Sequence, residues 1–281
     1  MPHHLQPSFY SLPGVTIRVV DHCRKVTTPF FVNDKWRIRH DEFEMKVEGV
    51  ASFYAARGAE LEISPAPGAN PDEINLYLYG DVLAALLHQR KIINFHASSF
   101  IHNERGIMVL GETGAGKSSM AAAFSLQGAR FLSDDLTPVR FDDDRPLICP
   151  VYKTIKLREE TICQLKIDRR KTRRKDPLSG KSYFPVVHAG VNAWPLQFVL
   201  LLEIGDVPQP VFSLPGPMQA FSLLRSQVCS WEMLRGMPGT EEEYLHQLIH
   251  ILSHVKVIRV VRPERIPVAT LHSEIESFLK P

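Results

Sequence analysis

GETGAGKSS, residues 111–119, fits the pattern G-x-x-x-x-G-K-[ST]. Gly111, Gly114 and Gly116 allow the backbone to turn its N–H groups inward, and a helix opening at Lys117 adds the positive end of its dipole. Both features suit phosphate oxygens. In such a loop Gly111, Glu112, Thr113, Gly114, Ala115, Gly116, Lys117, Ser118 and Ser119 form the cofactor-binding stretch. In this reading Lys117 should reach the β- and γ-phosphates of a nucleotide, and the Ser118 hydroxyl should ligate Mg²⁺. The bland alternative is a chance glycine-rich turn.

The flanks weigh against chance. IINFHASSFI from residue 92 reads as a strand, HNERG as a turn, and IMVL as a second strand feeding the loop. SSMAAAFSLQ reads as a helix stopped by Gly128, and ARFLSDDL returns as a strand. Strand, glycine loop, helix, strand is the context a phosphate-binding loop requires, and the Gly-Lys-Ser ending argues against dinucleotide binding.

Asp134-Asp135 closes the strand ARFLS, where nucleotide-binding folds place a Mg²⁺-positioning acid. Two adjacent aspartates can divide the work, one holding metal and the other accepting a hydroxyl proton. A solvated turn is the structural alternative. His96, in the strand before the loop strand, is by itself more simply a core residue; beside an acidic pair it becomes a candidate for proton transfer.

FHASSFIHNERGIMVLGETGAGKSSMAAAFSLQGARFLSDDLTPVRF resembles the catalytic core of the HPr kinase/phosphorylase family over residues 96–141. LLHQRKIINFHAS is similar to the wider group of HPr-kinase-like serine kinases, which includes those acting on lasso-peptide precursors. The resemblance implies an α/β fold with a P-loop nucleotide-binding core of the HPr-kinase/carboxykinase type. It implies ATP and Mg²⁺ as cofactors, and a serine in a peptide or small protein as acceptor. Asp134 would be the catalytic base assisted by His96, with Lys117 as the third catalytic residue; Asp135 and Ser118 would hold the metal. The division of roles between the two aspartates stays open. The family's E-x-x-R-G-x-G is missing downstream, where this chain reads CPVYKTIKLREET. A lasso precursor or other peptide is therefore favoured over HPr.

Residues 1–69 read as a β-rich N-terminal module, with GVTIRVV and TPFFVND as strands and a hairpin turn at Arg57-Gly58. Residues 70–281 form the kinase domain. It starts with a helix over 71–89 that Asn70 caps and Pro71 opens. Two late helices are expected around 218–236 and 240–254. Lys156 and Arg158 alternate in TIKLR, and Arg169, Arg170, Arg173 and Arg174 belong to a dense basic run; all six are candidate substrate contacts. A solvated loop explains the run equally well, and a nucleic-acid patch ranks last because aromatics are not interleaved. His246, His250 and His254 recur every fourth residue, but the outer pair of such a ladder lies about 12 Å apart, so an amphipathic helix is favoured over a metal site.

An apolar fraction of 44%, a charged fraction of 23% and a net charge of +2 describe an ordinary globular protein without a strong field. No nucleic-acid partner and no membrane span are expected, and a homo-oligomer is a candidate assembly. The N-terminus lacks the pattern of a secretory signal, and four separated cysteines read as reduced thiols, so the expected location is cytoplasmic. Two rival functions remain: a nucleotide-binding scaffold without phosphotransfer, and a small-molecule or carboxykinase-like phosphotransferase.

Overall fold

The computed structural model describes residues 14–176 and 179–280, with the backbone alone at 173–175. The chain divides into two compact units, Met1–Asn94 with Val228–Gln247, and Phe95–Gln227 with Leu248–Pro281.

In the first unit, β1 (Thr16–Val19), β2 (Phe31–Val32), β3 (Trp36–Arg39), β4 (Glu42–Val47), β5 (Ala51–Ala56) and β6 (Glu60–Pro65) form one sheet. The order is β1-β6-β5-β4-β3-β2, antiparallel except for the parallel β1–β6 pair. Arg57 and Gly58 both have positive φ, which closes the β5–β6 hairpin at the expected turn. The boundary expected at residue 69 lies inside this first unit, between β6 and α1 (Pro71–Tyr77), and α2 (Leu83–Gln89) follows after one π turn, Leu78–Val82. The Asn70 side chain accepts from Asp72 N at 3.0 Å and Pro71 opens the helix, as read from the sequence. The expected single helix is interrupted at Gly80, whose φ of −97° and ψ of −105° are not helical. Buried Ile74, Leu78, Val82 and Leu83 supply an apolar helix face.

The second unit begins around β7 (Asn94–Phe95) and continues with β8 (Ser98–His102), β9 (Arg105–Gly111), α3 (Lys117–Leu126), β10 (Arg130–Ser133), β11 (Thr137–Asp142) and β12 (Arg145–Ile148). Next come β13 (Thr154–Leu157), α4 (Glu159–Gln164), β14 (Arg173–Lys175), β15 (Ser182–Pro185), β16 (Trp194–Ile204), β17 (Val211–Ser213) and α5 (Pro217–Ser226). The late region supplies α6 (Thr240–His254), β18 (Lys256–Arg262) and α7 (Val268–Leu279); the helix expected over 218–236 is α5 followed by a separate 3-10 turn, Trp231–Gly236.

The main sheet runs β10-β8-β9-β16-β12-β11-β7, with β18 beside β16 and β17 at the edge; β13-β15-β14 form a smaller sheet. β9 and β18 are both parallel to β16, while β8 is antiparallel to β9 and β10 antiparallel to β8. Strands β9, β10, β16 and β18 therefore point the same way. Their carboxyl ends gather Gly111, Ser133, Ile204 and Arg262 along one rim, where open α/β sheets bind ligands. Under the rim, α3 buries Met120, Ala121, Ala122, Ala123 and Phe124. The alanines let the helix lie close, and Phe124 stacks on Phe100 with ring centroids 4.7 Å apart. Among the described residues no helix is long and apolar enough to cross a membrane.

Candidate active site

At that rim a cleft of about 360 Å³ opens, a size suited to a small-molecule ligand. Glu112, Thr113, Gly114, Gly116, Lys117, Ser118 and Ser119 line it, so most of the expected phosphate-binding stretch is gathered there. Gly111 and Ala115 act from beneath. The Gly111 N–H donates to Gln227 Oε1 at 3.1 Å, and Ala115 is buried in the core under the loop. Gly111 has φ of 143°, and a Cβ there would meet the Leu202 carbonyl oxygen at 2.3 Å, so both backbone conformation and space require glycine. Gly114 and Gly116 also have positive φ, and no side chain caps α3, which leaves its first-turn N–H groups to a ligand.

Lys117 is 8% exposed, and its ammonium donates to the Gly111 carbonyl at 2.6 Å and the Glu112 carbonyl at 3.4 Å. Burial lowers its pKa, with the Asp134 and Asp135 charges opposing. Ser119 Oγ lies 2.9 Å from Thr161 Oγ1, linking α3 to α4.

The two aspartates face different surroundings. Asp134 is 3% exposed; its Oδ1 accepts from Ser118 Oγ at 2.9 Å and from Ser98 Oγ, and its Oδ2 from Lys156 N at 3.2 Å. Burial, then the neighbouring Asp135 charge, pushes its carboxyl up to about 6. Asp135 lines the cleft. Its φ is 66°, and the Leu136 N–H donates back to the Asp134 carbonyl at 2.8 Å, a tight turn at the end of β10. Burial alone would raise the Asp135 pKa, but Lys156 at 3.0 Å outweighs it and holds the group below the ordinary value.

The strand expected over IINFHASSFI breaks into β7 and β8, and His96 sits in the bend between them, where it lines the cleft and its ring hydrogen-bonds the Asp135 backbone. Burial first and Lys117 second lower its pKa, which favours a neutral ring. Lys156 is tied to the acids, since its Nζ lies 3.0 Å from Asp135 and 3.3 Å from Asp176. Asp176, 2% exposed, accepts from Ser179 N, Ser179 Oγ and Tyr183 Oη.

Of the candidate substrate contacts, Lys156 and Arg158 line the cleft. Arg169 and Arg170 do not: Arg169 pairs with Glu159 and Arg170 with Asp168 at 2.9 Å. The side chains of Arg173 and Arg174 lie outside the described residues. His250 packs against Phe141, with Asp144 3.6 Å away, and His246 is exposed. Sequence reasoning missed Ser98, Asp176, Lys181 and Arg262. Lys181 and Arg262 line the cleft, and Ser98 and Asp176 hold its acids and lysine from behind. Arg262, at the end of β18, donates from Nε to the Ala115 carbonyl at 2.8 Å and from Nη2 to the Gly114 carbonyl at 3.0 Å.

Neither a protein-family model nor a curated protein matches the chain in sequence. Among solved structures, the HPr(Ser) kinase/phosphatase from Coxiella burnetii resembles it with 12% identity and a TM-score of 0.34, over 66% of this chain and 93% of that one. At that level the two share too little to transfer residue roles.

Proposed function

We propose that the second unit is an ATP- and Mg²⁺-dependent phosphotransferase that phosphorylates a serine hydroxyl of a peptide or small protein. The observation carrying this reading is the 2.9 Å contact between Ser118 of the glycine loop and Asp134, with Asp135 and His96 facing the adjoining cleft. A loop serine and a strand-end aspartate are hard oxygen donors suited to Mg²⁺, and here the two are in direct hydrogen-bond contact. Bound Mg²⁺-ATP would supply the phosphoryl group and neutralise charge on it.

The chain's residues supply position. The uncapped start of α3 and the loop N–H groups bind phosphate oxygens, and Lys117 exchanges its loop carbonyls for them. Asp134, buried and fully hydrogen-bonded, serves the metal side. Asp135 stays ionised beside Lys156 and orients the acceptor hydroxyl, taking its proton late in the transfer, while neutral His96 holds the Asp135 turn. This exchanges the aspartate roles implied by the family resemblance. Lys181 and Arg158 add positive charge to the acceptor side. A lasso-type precursor is preferred over HPr on the sequence resemblance and the missing E-x-x-R-G-x-G.

Transfer of ³²P from γ-labelled ATP to serine-containing peptides, with Lys117→Ala as control, tests the reading. Wild type should label the peptide, and the folded variant should lose at least about a thousandfold in rate, as removal of a transition-state charge contact does. ATP binding with no acceptor-dependent turnover for any peptide would leave a nucleotide-binding scaffold.

A further inference from the structure

We infer that Arg262 is the positioning residue that presets the glycine loop for nucleotide, an inference that rests on the proposed ATP site. A loop that turns its N–H groups toward a ligand must turn carbonyls the other way, and those need donors that water cannot supply once they are covered. Arg262 is the donor. It is 8% exposed, and its Nε and Nη2 hold the carbonyls of Ala115 and Gly114, at the bend of the loop. A Cβ on Gly116 would come within 3.9 Å of its Nε, so the guanidinium lies directly behind the loop's last glycine.

The same side chain also holds the segment that follows it. Its Nη1 donates to the carbonyls of Pro263 at 2.8 Å and Glu264 at 2.9 Å, which begin the segment bringing Ile266 and Val268 to the apolar part of the cleft. One planar fork thus ties the loop to the segment after β18. Lysine, with a single donor head on a flexible stem, cannot hold four carbonyls in two directions. Its four hydrogen bonds all go to backbone carbonyls, so its assigned role is exerted through the loop.

The experiment is a Mg²⁺-ATP titration of wild type, Arg262→Gln, Arg262→Lys and Lys117→Ala, read beside ligand-free thermal unfolding and the KM and kcat of ATP-dependent transfer. Arg262→Gln should weaken ATP binding by about tenfold or more, the effect of losing two charge-assisted hydrogen bonds. KM for ATP should rise more than kcat falls. Arg262→Lys should recover only part, and millimolar guanidinium should restore affinity to Arg262→Gln by refilling the gap. Wild-type affinity in Arg262→Gln, or a loss that guanidinium leaves untouched while Arg262→Lys behaves as wild type, would overturn the inference. If Arg262→Gln does not fold, the Arg262→Lys affinity and KM decide: unchanged values overturn the inference. Wild type that binds no ATP sinks the proposed function and this inference together; wild type that binds, beside a normal Arg262→Gln, sinks this inference alone.

Discussion

Asp134 keeps an ionisable group where water does not reach, and its proposed role and the stability of the fold pull on it in opposite directions. Its folded carboxyl, raised to about 6 by burial and by Asp135, holds a proton over a range where an unfolded aspartate has released it. Stability from this group is present at low pH and is lost as pH rises from about 4 through about 6. Asn is well matched to the site: its Oδ1 can accept from Lys156 N while its Nδ2 donates to Ser98 and Ser118 Oγ, the reverse polarity of the present contacts. Asp134→Asn is therefore expected to raise the melting temperature of the ligand-free protein at about pH 7.5 by several degrees, on the order of 1–3 kcal/mol. The gain should disappear below about pH 4, where wild type is itself neutral. The same variant should lose phosphotransfer by several orders of magnitude. Calorimetry across pH and the ³²P assay read the two effects; an Asp134→Asn variant less stable than wild type at neutral pH would contradict the burial argument. Asp135 differs because it lines the cleft and Lys156 partners it, so Asp135→Asn should cost activity without a comparable gain in stability.

At the scale of elements, the site depends on how closely the loop strand β9 lies against β16. Gly111↔Leu202 is their last register pair, and the space above Gly111 is filled by the Leu202 carbonyl. Gly111→Ala must separate the strand ends or shift the loop, and its φ of 143° is strained for any side chain. The expected outcome is a loss of about 2 kcal/mol or more in urea unfolding with ATP binding reduced, since strain and overpacking add. Gly128→Ala, with no atom within 4 Å of the added Cβ, is the control for positive φ without the clash. Equal losses in both variants would mean that the close approach to Leu202 contributes nothing. These elements also show what the sequence can reveal. The loop, its flanking strands and α3 are legible because their signals are local: glycines at fixed spacing, a Gly-Lys-Ser end, and apolar runs of strand length. The Asn70 cap and Arg57-Gly58 turn are legible for the same reason. The π turn at Gly80 is not, because an isolated glycine inside a helical pattern is ordinarily tolerated. Arg262 is invisible, since its partner Ala115 is 147 residues away and an arginine at a strand end is normally solvated. Arg169 and Arg170 show the opposite case: the dense basic run is legible in the sequence, while its pairing with Glu159 and Asp168, outside the cleft lining, is not.

For the whole molecule, acid sensitivity is set by more than the active site, because the first unit carries a buried histidine of its own. His88 is fully enclosed; its Nδ1 lies 2.9 Å from Tyr244 Oη and its Nε2 3.0 Å from the Cys229 carbonyl, while Tyr244 Oη also lies 2.8 Å from the Ile92 carbonyl. The ring thus joins α2 to the returning segment 228–247, which completes this unit from a distant part of the chain. Burial pushes the His88 pKa down to about 4, with only the Cys229 carbonyl opposing. Between that value and the ordinary 6.5 of an unfolded histidine, the unfolded chain binds the extra proton, so stability rises with pH across the window and is lost as pH falls through it. The full loss is about 3 kcal/mol for a shift of this size, a large share of the stability of a typical domain. His88→Gln keeps an amide to meet the Cys229 carbonyl but cannot titrate. It should be less stable than wild type at about pH 7, through lost packing and the Tyr244 contact, and should lose clearly less on acidification to about pH 4.5. Urea unfolding at the two pH values, followed by a probe in the first unit such as Trp231 fluorescence, measures both differences. Parallel acid losses in wild type and His88→Gln would show that other groups set the acid limit and that His88 is only a packing residue.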